Sequence, residues 1–344
     1  MVDVTVMGAG VFGLSVAWAC AARGAKVRVI DPNGVGAGSS GGLVGALAPH
    51  TPENWNEKKA FQFESLIMAE AFWAEVELVG GVSPGYARTG RLQPIPTARS
   101  LDRARARAVT AVPLWQSKAS WRVIDVAEAG AWAPLSPTGY LIHDTLSARM
   151  RPRGAAAALA AAVKARGGEI VISGLREGKI VWATGWQGLM SLSKDMGRLI
   201  GNGVKGQSAL LRLPRANLPQ IFADTVHIVP HEDGTVAIGS TSEREFEDPS
   251  ATDDQLDMVL ARAVAAVPSL ESSMVIERWA GVRPRAKNRA PILGVHPLRN
   301  DEFIANGGFK IGFGMAPKVG QVMADLVLED RDEIPSDFKL TTLL

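Results

Sequence analysis

Six residues near the N-terminus have the spacing G-x-G-x-x-G, which is typical of loops that hold a diphosphate group. Gly8 permits a tight turn, Gly10 lets a diphosphate approach the backbone, and Gly13 lets the following helix pack closely on a sheet. Asp31 follows about 20 residues later, where a carboxylate can accept hydrogen bonds from ribose hydroxyls. These residue types at this spacing predict a dinucleotide-binding site.

The elements that must position this loop lie on either side of it. Residues 3–7 alternate and are rich in β-forming side chains, so they predict a strand, and residues 26–31 predict another. Residues 11–23 between them predict a helix that opens with Val11 and Phe12. The amides and the positive dipole end of this helix would face the diphosphate. The whole segment therefore predicts a βαβ unit.

The motif alone does not distinguish FAD from NAD, but three further segments favour FAD: residues 38–49, 182–186 and 307–317. FAD is long, so its isoalloxazine ring must contact parts of the chain far from the diphosphate loop. Small residues at 39–45 permit close backbone approach, and a helix that follows residues 312–315 could stabilise negative charge near N1 of reduced flavin. The expected FAD contacts in these segments are Ser39, Ser40, Gly45, Ala46, Leu47, Thr184, Gly185, Trp186, Gly308, Phe309, Lys310, Ile311, Gly312 and Phe313.

These segments, in this order, resemble the D-amino-acid oxidase superfamily of flavoproteins, and in particular its glycine oxidase and sarcosine oxidase branches. Matching pieces at residues 204–207, 228–230, 238–241, 279–284 and 291–294 extend the resemblance over nearly the whole chain. The resemblance implies an α/β fold with a glutathione-reductase-type, Rossmann-like FAD-binding domain. It also implies an inserted α+β substrate domain that contains a mixed β-sheet, and a small amine or amino acid as substrate.

Three residues are candidates for positioning that substrate. Arg283 stands where glycine oxidases and D-amino-acid oxidases use an arginine for the substrate carboxylate, which a guanidinium can hold through two parallel hydrogen bonds. Phe309-Lys310 is similar to the Phe-Lys of sarcosine oxidases, whose lysine contacts the same carboxylate. His227 falls where several relatives have a tyrosine that lines the site. The sequence also fits a structural arginine, a solvated lysine and an ordinary strand histidine at these positions.

The chain departs from the family pattern at several positions. Gly281 replaces the cysteine that bonds the flavin in sarcosine oxidases, so we expect non-covalent FAD. Gly308 and Asn288 replace a histidine and an aspartate that are usual in these segments. Basic residues crowd the substrate region and could favour an acidic substrate, although their alternate spacing also fits one solvated face. They are Arg283, Arg285, Lys287, Arg289 and Lys310.

The order of the elements predicts a discontinuous FAD-binding domain at residues 1–79, 143–204 and 290–344, with a substrate domain at 80–142 and 205–289. We expect a strand pair at 86–96 and short strands at 209–213, 225–229 and 235–239. Asp233-Gly234 between the last two predicts a hairpin turn. We expect further helices at 195–200, 253–267 and 315–328.

The composition is that of an ordinary globular enzyme, with 344 residues, 47% hydrophobic, 21% charged and a net charge of +2. The small net charge gives no reason to expect nucleic-acid binding. The single cysteine, Cys20, excludes an internal disulfide framework, and the histidines lack metal-ligand spacing. Without a signal-peptide pattern or a bilayer-length apolar stretch, we expect a cytoplasmic protein with no metal and no membrane span. The sequence does not indicate an oligomeric state.

The sequence therefore predicts an FAD-dependent oxidoreductase that oxidises the C–N bond of a small amino acid or secondary amine to an imine, by hydride transfer to flavin N5. Oxygen is the expected acceptor, as in glycine oxidases and D-amino-acid oxidases. A dehydrogenase with another electron acceptor and a flavoprotein subunit of a larger assembly are the alternatives. An enzyme that modifies RNA-borne amines is disfavoured by the low net charge.

Overall fold

The structure, a computed structural model, describes residues 1–343, so Leu344 at the end of the predicted FAD-binding domain lies outside the described residues. The helices are α1 (Val11–Ala22), α2 (Glu57–Gly80), α3 (Ala98–Leu114), α4 (Pro152–Ala165), α5 (Gly185–Asp195), α6 (Asp254–Ala266) and α7 (Gly312–Glu329). The strands are β1 (Val4–Met7), β2 (Val27–Ile30), β3 (Ala46–Leu47), β4 (Arg91–Pro94), β5 (Trp121–Asp125), β6 (Tyr140–Asp144), β7 (Ala148–Arg149), β8 (Glu169–Val171), β9 (Lys179–Trp182), β10 (Gly201–Arg212), β11 (Gln220–Ala223), β12 (Val226–Pro230), β13 (Thr235–Gly239), β14 (Met274–Ala286), β15 (Ile292–Val295) and β16 (Glu302–Asn306).

A mainly parallel sheet of six strands contains the predicted βαβ unit, in the order β15-β16-β9-β1-β2-β8. Strand β1 pairs in parallel with both β2 and β9, while the edge strand β15 runs antiparallel to β16. Helices α1 and α7 pack tightly together beside this sheet, because Gly320 brings the backbone of α7 against Ser15 of α1. A Cβ atom at Gly320 would lie 2.7 Å from the carbonyl oxygen of Ser15. This is the Rossmann-like layer that the sequence predicts.

A second sheet of eight strands has the order β14-β10-β13-β12-β11-β4-β6-β5. It is mixed, as predicted, because β11 runs parallel to β4 whereas the other neighbouring strands are antiparallel. Helix α6 covers one face with an apolar core that includes Ile228, Ile238 and Leu256. Leu43 and Val44 pack on the opposite face, which we call the inner face. Residues 39–47, which lie within the predicted FAD segment at 38–49 and which we call segment 39–47, therefore join the two sheets.

Strands β12 and β13 form the predicted hairpin. They pair from His227 with Gly239 to Pro230 with Val236. The His231 amide closes the turn by donating to the Thr235 carbonyl at 2.8 Å. Cross-strand partners point to the same side of a sheet, so this register decides which side chains share the inner face.

Three details of the predicted elements are wrong. The helix expected at 195–200 is absent there, because α5 begins directly after β9 at Gly185 and has already ended at Asp195. Positive φ angles at Gly185 and Gly197, both 64°, enclose this helix. The strand pair expected at 86–96 is reduced to β4, since Gly85 and Gly90 also have positive φ angles. Helix α7 begins at Gly312 rather than at 315, which brings its N-terminus into the predicted FAD segment.

The division into two domains at residues 79/80, 142/143, 204/205 and 289/290 stays a prediction. The two sheets nevertheless draw on different parts of the chain. None of the described helices is both long and apolar enough to cross a membrane.

Candidate active site

The glycine loop between β1 and α1 adopts a turn that larger residues could not form. Gly8 has a φ of 109°, and a Cβ atom there would lie 2.4 Å from the carbonyl oxygen of Ala183. A Cβ atom at Gly13 would lie 2.0 Å from the carbonyl oxygen of Gly8. At Gly10 the first atom that a Cβ would meet is the Ser40 hydroxyl oxygen, at 3.2 Å. The first and third glycines therefore hold the helix against the sheet, and the second leaves a backbone surface for a ligand.

The N-terminus of α1 is open to a negative ligand. The N-cap residue, Gly10, has no side chain that could occupy this end of the helix, and the first turn contains no acid. The amide of Val11 donates to the Ser40 hydroxyl at 2.9 Å, which brings segment 39–47 beside the glycine loop. Unpaired amides and the helix dipole at such a position favour a phosphate. The geometry fits the diphosphate of a dinucleotide.

Asp31 follows β2 and orders the loop around it. Its carboxylate accepts from the amide of Ala9 at 2.8 Å and from the amide of Asn33 at 3.0 Å. Each oxygen of an ionised carboxylate has about two acceptor sites, so each retains capacity for a ribose hydroxyl. The predicted ribose contact is compatible with this arrangement and stays a prediction.

The loop before α7 lies directly against the glycine loop. A Cβ atom at Gly308 would lie 3.0 Å from the Phe12 ring, and one at Gly312 would lie 3.6 Å from Val11. Helix α7 also begins without a side-chain cap and without an acid in its first turn. Two helix N-termini thus meet at one place. One is suited to the diphosphate, and the other is suited to the negative charge that develops on reduced flavin.

The segment after β9 divides between two locations. Thr184 lies beside the glycine loop, since its amide nitrogen is 3.3 Å from the Cβ position of Gly8. The carbonyl of Gly185 accepts from the Asn306 side chain at 2.9 Å, which ties this turn to β16. The contacts of Trp186 lie elsewhere: its ring packs on Gly203 of β10 and edge-on to Phe246. Trp186 therefore contacts the second sheet, and its flavin contact stays a prediction.

Arg283 crosses the inner face of the second sheet. Its guanidinium donates to the Ser240 hydroxyl at 2.6 Å and to the Thr241 carbonyl at 3.3 Å. The group lies so close over Gly206 that a Cβ atom there would be 2.0 Å from Nη2. Burial lowers the pKa of Arg283 to about 10, against a smaller opposite effect of Glu243, so the residue remains charged at neutral pH. A guanidinium has five N–H donors, so three remain for a ligand.

Lys310 and His227 lie in the same electrostatic environment as Arg283. Burial and the positive charge of Arg283 lower the pKa of Lys310. Burial lowers the pKa of His227 to about 3, and the charges of Arg91, Lys310 and Arg283 contribute further lowering. His227 is therefore neutral at physiological pH. The structure brings together the three residues that the sequence proposed for the substrate.

Two polar residues that the sequence analysis missed share this inner face. Ser208 pairs with Gly239, which pairs with His227. The Ser208 hydroxyl, the Gln93 amide nitrogen and the His227 Nδ1 are all shielded from solvent and have no hydrogen-bond partner among residues 1–343. Buried polar atoms normally find a partner, so this row of groups indicates a surface that receives a polar ligand. No motif marks these positions, because their proximity depends on strand register.

The expected absence of a covalent flavin link agrees with the packing around Gly281. A Cβ atom at Gly281 would lie 2.5 Å from the Trp279 ring, whose edge also packs against Gly42. The ring fills the space that a cysteine side chain would need. Non-covalent FAD remains the prediction for this chain.

The basic residues from 283 to 289 do not share one environment. Arg283 and Arg285 are half-buried on β14, whereas Lys287 and Arg289 are exposed beyond its end. The four residues therefore do not form one solvated face, because Arg283 and Arg285 are half-buried.

Comparison with curated proteins identifies relatives across the full length of the chain. It is 25% identical over 376 residues to glycine oxidase from Geobacillus kaustophilus, a match that covers 98% of this chain and 96% of that protein. It is 26% identical over 355 residues to the bifunctional protein ThiO/ThiG from Trichormus variabilis, where the match covers 96% of this chain but 53% of the relative. The chain thus spans about half the length of these bifunctional relatives.

Solved structures share the fold. Iminodiacetate oxidase from Chelativorans sp. BNC1 superposes with a TM-score of 0.86 at 22% identity, and the match covers 98% of both chains. A family model described as DAO, FAD dependent oxidoreductase, matches residues 3–326. This match spans the glycine loop, segment 39–47, the strand that bears Arg283 and the loop before α7. The chain belongs to the DAO family of FAD-dependent oxidoreductases, and it has the Rossmann-like fold that its sequence predicts.

Proposed function

We propose that this enzyme oxidises the C–N bond of a small amino acid or secondary amine to an imine, which water then hydrolyses. The observation that carries the proposal is Arg283, a half-buried cation with three free donors on the inner face, next to Lys310 and a neutral His227. A site of this kind selects a carboxylate. The glycine oxidase and iminodiacetate oxidase among the relatives act, by their names, on amines that carry one.

We propose that the chain holds FAD through three segments of its backbone. The Gly8–Gly13 loop and the open N-terminus of α1 hold the diphosphate, and Asp31 binds a ribose. Segment 39–47 lies between the glycine loop and the inner face, where the isoalloxazine ring must approach the substrate. The N-terminus of α7 supplies positive potential at the ring. When bound, the flavin supplies the hydride acceptor, N5.

The side chains of the inner face would orient the substrate and provide a positive electrostatic potential for its carboxylate. Arg283 binds the substrate carboxylate through two parallel hydrogen bonds, because Ser240 and Thr241 hold the guanidinium with part of its donors free. Lys310 adds a second positive charge. A fixed carboxylate leaves the α-carbon with few orientations toward the flavin, and such positioning contributes much of the rate enhancement of enzymes.

His227 contributes as a neutral group. Because its pKa is lowered to about 3, it does not compete with the substrate amine as a cation. Its Nδ1, together with the Ser208 hydroxyl and the Gln93 amide, offers hydrogen bonds to the substrate or to the flavin edge. The amine itself must bind in its neutral form, since a protonated nitrogen has no lone pair to stabilise the imine.

Oxygen is the proposed acceptor, and the names of the oxidase relatives support it. A dehydrogenase that passes electrons to a quinone would use the same inner face. A flavoprotein subunit of an assembly is the other alternative, because the chain matches about half of the bifunctional ThiO/ThiG proteins.

The test is product analysis with the FAD-loaded enzyme and a panel of glycine, sarcosine, proline and both enantiomers of common amino acids. Formation of an oxo acid and hydrogen peroxide in equal amounts supports the oxidase. An oxo acid that forms only when a quinone is present identifies the dehydrogenase. No turnover of any amine, with 2-hydroxy acids oxidised instead, would refute the proposed reaction.

A further inference from the structure

Two cations flank the aromatic ring of Phe309, at the end of the inner face where β14 terminates. The Arg285 guanidinium carbon lies 5.9 Å from the ring centroid, and Lys310 Nζ lies 5.8 Å from it. The ring is held in place because the Phe309 amide donates to the Pro284 carbonyl at 3.1 Å. Both cations are thus fixed relative to β14, within the range of a cation–π contact.

Arg285 and Arg283 belong to the same surface. They are two residues apart on β14, so the pleat points both side chains to one face. Their partners on β10, Asn202 and Val204, confirm a regular register there. Lys310 joins the two arginines, since it feels the charge of Arg283 and shares the Phe309 ring with Arg285.

Further positive charge lies beside Arg285. Burial lowers the pKa of Arg285, and the charges of Arg289 and Arg244 lower it further. Two acids, Glu243 and Glu245, flank Arg244 in the chain. Glu243 is engaged elsewhere, because it pairs with Lys205 at 3.5 Å and accepts from the Gln207 side chain at 3.1 Å. Among residues 1–343, the ion pairs of the structure include none with Arg283, Arg285 or Lys310.

At the opposite end of β14, in contrast, the charged side chains form ion pairs. There Arg278 pairs with Asp257 at 2.5 Å, and Glu277 pairs with Arg153 at 2.7 Å. Charges at the start of β14 thus form ion pairs, whereas among the described residues Arg283 and Arg285 form none, and Arg283 feels only the charge of Glu243. One substrate carboxylate at Arg283 would neutralise one of at least three neighbouring cations.

We propose that Arg285 and Lys310 form a second anion subsite, and that the substrate is an amine with two carboxylate groups. This inference rests on the proposed amine oxidation. Arg283 binds the carboxylate next to the reacting carbon, and the subsite at Phe309 binds the other. The substrate class therefore includes acidic amino acids and N-carboxymethyl amino acids.

Matched substrate pairs test the second carboxylate. Glutamine has the shape of glutamate without the second charge, and sarcosine has a hydrogen where iminodiacetate has its second carboxylate. We expect the dicarboxylate of at least one pair to reduce the flavin with roughly tenfold or greater efficiency, since a hydrogen bond to a charged group contributes about 1.5–3 kcal/mol. Equal or better reduction by the member with one carboxylate in both pairs, with both enantiomers of glutamate and glutamine tested, would overturn the proposal.

A binding experiment separates this proposal from the reaction itself. Glutarate and glutaramate carry no amine, so their dissociation constants are measured from the visible flavin spectrum of the FAD-loaded enzyme without turnover. We expect glutarate to bind roughly tenfold more tightly. Preference for glutarate with no amine oxidised would refute the proposed reaction alone, whereas equal binding would refute the subsite alone.

Arg285→Gln is the variant that addresses the subsite, and it should bring the ratio between glutarate and glutaramate close to one. Arg212→Gln is the matched control, because Arg212 is exposed on β10 and pairs with Met274, about 30 Å along the strands from the pair Asn202–Arg285. The control should keep the wild-type ratio. An unchanged ratio in Arg285→Gln, with FAD fully bound, would show that other groups bind the second carboxylate.

Discussion

Gly206→Ala displaces the proposed anchor without removing it. The new Cβ would lie 2.0 Å from Nη2, 2.1 Å from Nη1 and 2.2 Å from Cζ of Arg283. Non-bonded heavy atoms need about 3.5 Å, so the guanidinium must move by roughly 1.5 Å. It then leaves the Ser240 hydroxyl, to which it now donates at 2.6 Å.

The expected effect on substrate binding follows from this displacement. Two charge-assisted hydrogen bonds to a carboxylate contribute about 1.5–3 kcal/mol each, and losing most of one of them raises the dissociation constant by roughly tenfold or more. Overpacking costs about 1–3 kcal/mol of folding stability, which a domain of this size tolerates. FAD should remain bound, because Gly206 lies on the second sheet rather than in the glycine loop.

The assay is a titration of the FAD-loaded protein with propionate, which binds as a carboxylate but has no amine to oxidise. Arg283→Met sets the limit for complete loss of the anchor. Gly174→Ala is the control, since its new Cβ would meet atoms no closer than 3.6 Å and its backbone needs no left-handed conformation. A dissociation constant for Gly206→Ala within about threefold of the control, with FAD bound, would refute the role of Arg283.

Two other predictions concern the FAD site and the buried histidine. Gly13→Ala should lower the fraction of protein that retains FAD after dialysis, because its Cβ would lie 2.0 Å from the Gly8 carbonyl oxygen; full retention would show that the glycine loop does not hold the cofactor. His227 has a pKa of about 3 when folded and 6.5 as its ordinary value, so the unfolded chain binds a proton between these values and the folded protein does not. Stability should therefore fall as pH decreases from 6.5 toward 3, and His227→Gln should reduce that slope by up to about 1.4 kcal/mol per pH unit in urea titrations. An identical slope in the variant would contradict the buried, neutral histidine.

Local features of the fold followed directly from the sequence. The turn at Gly8–Gly13 was predictable because the spacing of its glycines is itself the signal, although Gly8 is also restricted by the distant Ala183. The hairpin at Asp233-Gly234 likewise depends on neighbouring residues. The missed strand β11 has only four residues, and its pairing with β4 depends on chain more than a hundred positions away.

The site likewise combines residues that the sequence indicated with residues that only the fold brings together. Arg283, Lys310 and His227 came from resemblance, and strand register together with the loop before α7 brings them together. Ser208 and Gln93 escaped the sequence analysis, since serine and glutamine in strands carry no signal of their own, and Gly206 entered it only as part of the matching piece at residues 204–207. The flavin contact of Trp186 stays a prediction, and its observed neighbours, Gly203 and Phe246, could not be inferred from its position after β9.

The most direct test of the central claim compares glycine with glycinamide, and sarcosine with its amide, in anaerobic reduction of the FAD-loaded enzyme. Each pair shares the amine and the reacting carbon, and only the acid carries the carboxylate that Arg283 is proposed to bind. We predict that the acids bleach the visible flavin band at least about 100-fold more efficiently than the amides, which lose the charge-assisted hydrogen bonds. Equal reduction by acid and amide would contradict carboxylate-anchored amine oxidation.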